Sequence, residues 1–176
     1  LQQAAKLSSK TTIRFAVLCH DLGKGLTPEK EWPSHRGHEA AGLPILDDLC
    51  LRLKVPNEYK KLAARVCEFH LHSHKAFQLK ASTLLKLMNA LDIWRNSTIL
   101  EEFIVACKAD FLGRLGFEDK KYPQQQFLID VAKAANTVIA KTYIEKGIKG
   151  ADIKIAMDQG RIEAIKKVIQ HYRITS

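Results

Sequence analysis

The sequence lacks the features that indicate a membrane-bound or disordered protein. Its longest uncharged apolar runs, such as residues 15–19, are far shorter than the roughly 20 residues that a membrane span requires. No targeting signal is visible. Hydrophobic residues make up 46% and charged residues 27% of the 176 residues, which is ordinary for one globular domain. We therefore expect a folded, soluble protein with one core.

Paired cysteines are also missing. The four cysteines are Cys19, Cys50, Cys67 and Cys107, and none belongs to a C-x-x-C motif. This spacing disfavours a structural zinc site, and the apolar surroundings predict reduced, buried thiols. The cysteine usage is typical of a cytoplasmic protein.

Strand-like alternation is scarce, and neither an internal repeat nor a low-complexity tract is present, whereas apolar residues recur at helical spacing. The pattern predicts an all-α protein. Gly23 and Gly25 are expected to end the first helix in a left-handed cap, and Ser34 to cap the second, within which Gly42 and Pro44 predict a break or kink. The predicted helices cover about 13–22, 34–54, 58–73, 82–92, 99–112, 123–146 and a last segment to about Tyr172.

The charge balance favours anionic partners. Lys and Arg number 28 against 19 Asp and Glu, which gives a net charge of +9. Such a balance favours RNA, nucleotides or phosphate esters, and a solvated basic surface is the alternative.

Histidines cluster in the first half of the chain, where six of the seven lie between His20 and His74. His20 and Asp21 are adjacent at the end of an apolar helix, where both can reach one metal ion. Their donor atoms suit a divalent ion acting on a phosphate ester. The alternative is a core histidine whose ring N–H is accepted by the aspartate.

Two further histidine pairs have spacings suited to metal ligands. His35 and His38 are three residues apart at a helix start, and His70 and His74 are four apart near a helix end. Each pair shares one helix face. The pairs could therefore complete a site around the His-Asp motif.

Two aspartates are predicted to point into the apolar interior. Asp92 follows Met88 and Asp110 follows Cys107 at helical spacing. A buried carboxylate is costly unless it is paired, so each could serve a metal centre. Salt bridges to Arg95 and Arg114 are the alternative.

Together these motifs resemble the HD superfamily of metal-dependent phosphohydrolases, and more narrowly the C-terminal HD domain of the bacterial multifunctional CCA proteins, which are tRNA nucleotidyltransferases. The resemblance covers nearly the whole chain. It rests on residues 14–28, 31–39, 50–56, 92–95, 109–118, 122–124 and 146–150. It implies an HD-domain helical bundle over residues 1–115 and a C-terminal helical extension over 116–176, which could contact tRNA.

The resemblance also implies roles for individual residues. His20 and Asp21 would be metal ligands and, with Lys24, catalytic residues. Asp92 would complete the metal site, with Asp110 as the weaker alternative, and His38 and His70 would bind a second metal or the substrate phosphate. The implied substrate-binding residues are His35, Arg36, His74, Asp110 and Arg114.

The implied activities are metal-dependent 2′,3′-cyclic phosphodiesterase, 2′-nucleotidase and phosphatase. Nickel or magnesium is the expected divalent metal, with manganese, cobalt and zinc as alternatives. The partners would be tRNA, held at its acceptor end and elbow, and a nucleotide or cyclic phosphate, for a monomer or homodimer that does not enter a membrane. Two alternatives remain: a non-catalytic tRNA-binding tail, and an HD phosphohydrolase of free nucleotides.

The chain departs from the family pattern in two ways. HD proteins carry an additional metal-binding histidine before the HD pair, and residues 1–19 contain none. We therefore expect that the chain, which begins with Leu, is cut within the first helix of the domain, which would weaken the metal site. The Gly-rich strand-turn and Asp-x-Asp pair of the nucleotidyltransferase head are missing too, so these residues alone are not expected to add nucleotides.

Overall fold

The computed structural model describes residues 1–175, and within them the chain is helical and contains no strand. This confirms the predicted all-α fold. The α-helices are α1 Gln2–Leu7, α2 Thr11–Cys19, α3 His38–Arg52, α4 Asn57–His74, α5 Ala81–Leu91, α6 Thr98–Leu112, α7 Gln124–Asn136, α8 Ala140–Ile144 and α9 Ala151–Thr175. Short 3₁₀ helices cover Leu22–Leu26, Glu29–Glu31 and Ala76–Gln78. None of these helices is long and apolar enough to cross a membrane.

The chain forms two compact units that are not continuous in sequence. The first consists of Leu1–His74 and Thr98–Tyr122, and the second of Lys75–Ser97 and the chain from Pro123 onward. The second unit therefore takes in a segment from before residue 115. The division into an HD domain and a C-terminal extension near that residue stays a prediction.

Helix α4 is central to the first unit, where it packs against α2, α3 and α6. Its buried stripe begins with apolar residues and continues into His70 and Ser73. Because the stripe continues to the end of the helix, the packing that buries Leu62 and Val66 also carries His70 into the interior.

Two glycines let the 3₁₀ helix Leu22–Leu26 pack closely against α3. A Cβ at Gly23 would lie 1.9 Å from the His38 carbonyl oxygen, and one at Gly42 would lie 3.1 Å from the Gly23 amide nitrogen. The predicted left-handed cap at Gly23 and Gly25 is wrong, because neither has a positive φ. Gly23 is required here because α3 lies too close for a side chain.

Other helix boundaries also differ from the predictions. Helix α3 begins after Gly37, at φ 78°, and not after Ser34, and it continues through the exposed Pro44 without a break. Helix α7 ends at Asn136, and the extended Ile139 separates it from helix α8, so the single helix predicted for 123–146 is wrong.

The second unit is built around α9, which packs against α5, α7 and α8. Ile165 on α9 is fully buried. Phe127 on α7 packs against Phe77 and against Tyr172, at ring-centroid distances of 4.7 and 5.0 Å. Aromatic packing therefore contributes much of this core.

Candidate metal centre

His20 and Asp21 stand where α2 gives way to the 3₁₀ helix Leu22–Leu26. His20 is the last residue with α-helical backbone angles. Its ring bends back along the helix, so that Nδ1 lies 2.7 Å from the Val17 carbonyl oxygen. A carbonyl can only accept, so Nδ1 carries the proton and Nε2 is directed away from the backbone.

His38 and His70 are held in the same way by other helices. Nδ1 of His38 donates to the His35 carbonyl at 2.8 Å, and Nδ1 of His70 to the Val66 carbonyl at 3.0 Å. Both side chains are buried. Three helices therefore present histidines with a fixed tautomer, each with Nε2 available as a ligand.

These Nε2 atoms surround the carboxylate of Asp21. Asp21 Oδ2 lies 3.2 Å from His20 Nε2, and Oδ1 lies 3.2 Å from His38 Nε2 and 3.7 Å from His70 Nε2. Candidate ligand atoms of His20, Asp21 and His70 all lie within 4.8 Å of one another. This set of nitrogen and oxygen donors is one that a divalent metal accepts.

Two details of this cluster fit a cation. Asp21 Oδ1 is buried and has no hydrogen-bond partner. The Nε2 atoms of His38 and His70 are 3.3 Å apart, although each ring already donates through Nδ1. Two neutral rings held this way would place lone pair against lone pair, which a positive ion relieves.

Asp110 on α6 lies beside this cluster. Its Oδ1 is 3.3 Å from His20 Nε2 and its Oδ2 is 2.7 Å from His74 Nε2. The Tyr122 hydroxyl lies 3.1 Å from His74 Nδ1 and 2.8 Å from Ser73 Oγ. Sequence reasoning missed Ser73 and Tyr122; the only signal was that Ser73 lies one helical turn after His70.

The charges in this region are strongly coupled. Burial lowers the pKa of His20, but the hydrogen bonds and charges of Asp110 and Asp21 outweigh burial and raise it to about 9. Burial raises the pKa values of Asp21 and Asp110, yet hydrogen bonds from His20 to both, from Lys24 to Asp21 and from His74 to Asp110 bring both below their usual range. Burial, followed by the charge of His20, lowers the pKa of His70 to about 4. At pH 7 both acids are therefore ionised and His70 is neutral, as metal ligation requires, whereas His20 is protonated and would release its Nε2 proton when an ion binds.

The remaining predicted residues lie around the cluster or in the loop before α3. Lys24 Nζ is 2.6 Å from Asp21 Oδ2, and Arg114 Nη2 is 3.4 Å from Asp110 Oδ2. His35 is hydrogen-bonded to Thr27 and does not join the other histidines, and Arg36 is exposed.

Asp92 differs from its prediction. Helix α5 ends at Leu91, and Asp92 follows in the left-handed conformation with φ 54°. Its side chain is 50% exposed and lies 3.8 Å from Arg95. The expected burial of Asp92 is therefore wrong, because the helical spacing from Met88 was extended past the end of the helix. Asp110, the alternative, does contact His20, as Asp21 does.

Comparison with known families assigns the class of this chain. Residues 1–112 match the family described as HD domain. The match covers most of the chain and includes the histidines and aspartates of the cluster. The chain therefore belongs to the HD-domain family.

Comparison with individual proteins shows which HD-domain proteins the chain is similar to. The chain is 45% identical to the multifunctional CCA protein of Alkalilimnicola ehrlichii over 98% of its own length and 42% of that protein. It is 46% identical to that of Vibrio parahaemolyticus and 44% identical to that of Pseudomonas aeruginosa, over 94% of the chain and 41% and 40% of those proteins. The match is to the C-terminal part of these proteins. The chain thus spans less than half the length of the curated relatives it matches, and no solved structure matches it significantly.

Proposed function

We propose that this chain is a metal-dependent phosphohydrolase that cleaves phosphate esters at RNA ends, with 2′,3′-cyclic phosphodiesterase, 2′-nucleotidase and phosphatase activity. The observation that carries the proposal is the convergence of His20, His38 and His70 on the Asp21 carboxylate. Each ring is fixed by its backbone bond, so the ligands are positioned before an ion arrives.

The donor set favours a transition-metal ion. His20, His70 and Asp21 would hold it, with His38 beside them and Asp110 in the role first expected of Asp92. Imidazole nitrogens suit nickel better than magnesium, which prefers oxygen, so of the two metals first expected nickel fits this donor set better. When bound, such an ion polarises a phosphoryl oxygen and lowers the pKa of a coordinated water.

The surrounding side chains have complementary tasks. Lys24 orients Asp21 and, being 41% exposed, can also offset charge on a bound phosphate. His74, between Asp110 and the Tyr122 hydroxyl, can accept or pass on a proton. Arg114, Arg36 and His35 remain candidates for binding the substrate.

Transfer RNA is the proposed partner of the complete protein, in which this chain would accompany CCA addition in the cytoplasm. The relatives are multifunctional CCA proteins, and the net charge of +9 suits a polyanion. In the second unit, Lys80, Lys166 and Arg173 line a cleft of about 680 Å³. This cleft supports the second candidate function, a tRNA-binding region without catalysis.

Hydrolysis of 2′,3′-cyclic AMP across Ni²⁺, Co²⁺, Mn²⁺, Zn²⁺ and Mg²⁺ tests the proposal, with His20→Ala and chelator treatment as controls. We expect turnover that needs a metal and falls at least about a hundredfold in His20→Ala. Turnover that survives both controls would overturn the proposed site. Retention of tRNA in a gel-shift assay, without hydrolysis under any metal, would favour the second candidate.

A further inference from the structure

We propose that Trp32 is a stacking platform for the nucleobase of a substrate whose phosphate lies at the metal centre. This inference rests on the proposed function. Trp32 lies in residues 27–37, here called the tryptophan loop, and its side chain is 57% exposed. An exposed indole in a loop that is anchored to a candidate phosphate site matches the chemistry of a nucleotide, which carries a flat base next to its phosphate.

The tryptophan loop is tied at both ends to residues of the metal centre. At its start, the Thr27 hydroxyl donates to the Lys24 carbonyl at 2.8 Å, and Lys24 itself pairs with Asp21. At its end, the His35 carbonyl accepts from His38 Nδ1 at 2.8 Å. The loop is therefore anchored to two of the elements that position the candidate ligands.

Within the loop the indole is held in place although it is exposed. Trp32 Nε1 donates to the Thr27 carbonyl at 3.2 Å, and the Trp32 amide donates to the Glu29 carbonyl at 2.9 Å. The Trp32 and His35 ring centroids lie 6.0 Å apart at an interplanar angle of 40°. His35 is hydrogen-bonded to Thr27 in turn. A ring fixed in this way loses little further freedom when a base stacks on it.

The other tryptophan shows what a structural indole does in this chain. Trp94 has its ring covered by the Arg161 guanidinium at 3.7 Å, and its Nε1 donates to Asn89 Oδ1 at 2.7 Å. Both tryptophans use their N–H, but only Trp94 has a cation stacked on its ring among the described residues. Trp32 therefore retains exposed aromatic surface for a ligand.

The predicted ligand is a ribonucleotide at an RNA end, with little preference for one base. Stacking tolerates any base because every base has a π-face, and purines offer the larger one. Arg36, four residues after Trp32 and exposed, adds a cation in the same loop. We expect the base to strengthen binding about 5- to 100-fold over a base-free ester.

Fluorescence tests the platform without any turnover. Trp94→Phe leaves Trp32 as the only tryptophan, and we titrate that variant with AMP and with ribose 5-phosphate in the presence of chelator. AMP is expected to quench the emission and ribose 5-phosphate is not. If Trp94→Phe fails to fold, the difference between the wild type and Trp32→Phe gives the same readout. Equal responses to both ligands, or none to either, would overturn the platform.

Kinetics then tests its role in specificity. The two substrates are 2′,3′-cyclic AMP and glycerol 1,2-cyclic phosphate, which has the same ring ester without a base. We expect Trp32→Ala to remove the 5- to 100-fold difference in KM between them, and Trp32→Phe to keep most of it. A difference that persists in Trp32→Ala would refute the inference. Loss of all hydrolysis with every metal, with AMP quenching intact, would instead count against the proposed function.

Discussion

In the first unit, ionisable side chains lie in the interior and contact one another, whereas the second unit carries ion pairs such as Lys166–Glu163 on its surface. The side chains of His38 and His70 are 4% and 2% exposed, against 57% and 51% for Lys166 and Glu163. Burying such groups is unfavourable unless they are paired or bind an ion, while exposed pairs contribute little either way. The contrast indicates that the buried ionisable groups of the first unit depend on contacts with one another or with a bound ion.

The largest expected effect is the loss of a buried histidine of the cluster. His70→Ala should weaken nickel binding at least about a hundredfold, because it removes an Nε2 ligand. His72→Ala, on the same helix but outside the cluster, should leave binding unchanged. Titration calorimetry measures the nickel affinity of both variants. Equal affinities would contradict the assignment of His70 to the metal site.

Next in size is the effect of a methyl group at the contact between the 3₁₀ helix Leu22–Leu26 and α3. Gly23→Ala would place Cβ 1.9 Å from a backbone oxygen, and we expect a loss of about 3 kcal/mol in the free energy of unfolding. Gly25→Ala meets nothing within 4 Å and should be neutral or slightly stabilising. Urea unfolding of the two variants measures the difference in stability between them. Similar unfolding midpoints would show that α3 can move away from the new methyl group at residue 23.

The third effect is a pH dependence of the metal-free protein. Folding raises the pKa of His20 from about 6.5 to about 9, so its contribution is complete below pH 6.5 and is lost as the pH rises through 9. Folding lowers the pKa of Asp110, so its contribution is present above about pH 4 and is lost as the pH falls further. In chelator, the free energy of unfolding measured with urea should peak between these limits and drop on the order of 2 kcal/mol by pH 9.5. A rise in stability from pH 6.5 to 9.5 would contradict the His20–Asp110 pairing.

A smaller effect compares two tyrosine hydroxyls. Tyr122 is 6% exposed and its hydroxyl contacts Ser73 and His74, so Tyr122→Phe should cost about 2 kcal/mol. Tyr172, in the second unit, donates to Asp130 at 2.7 Å in a half-buried position, and Tyr172→Phe should cost about 1 kcal/mol or less. Thermal unfolding of both variants shows which substitution destabilises the protein more. The reverse order would weaken the contrast between the two units.

The smallest effect is expected at the surface of the second unit. Lys166→Ala removes an ion pair of 2.8 Å between half-exposed groups and should change the free energy of unfolding by less than about 0.5 kcal/mol. The same variant should weaken tRNA binding if the Lys80–Lys166–Arg173 cleft contacts RNA. A loss of several kcal/mol in the free energy of unfolding would show that this surface ion pair also stabilises the fold.

Sequence reasoning located the histidine cluster because its signals are local. An adjacent His and Asp at a helix end and histidines one turn apart on α4 need only helical periodicity to be interpreted. The same periodicity predicted the all-α class. It also predicted α6 at 99–112, and the structure places this helix at Thr98–Leu112.

The predictions failed where tertiary contacts decide the conformation. Gly23 looked like a cap, but its role depends on the backbone of α3, which is distant in sequence. Asp92 fitted the apolar spacing of α5, which the helix end at Leu91 interrupts. Tyr122 lies 49 positions from Ser73 in the chain, so no local pattern could join their hydroxyls.

The interleaving of the two units has a consequence for synthesis of the chain. The ribosome completes residues 75–97 before residues 98–122, which finish the first unit, and well before α7 and α9, against which α5 packs. During that interval Leu84, Leu87 and Met88, all buried in the finished fold, have no partner surface to cover them. Helix α5 therefore stays uncovered until the chain is nearly complete, and a polypeptide released before α9 would display it to solvent.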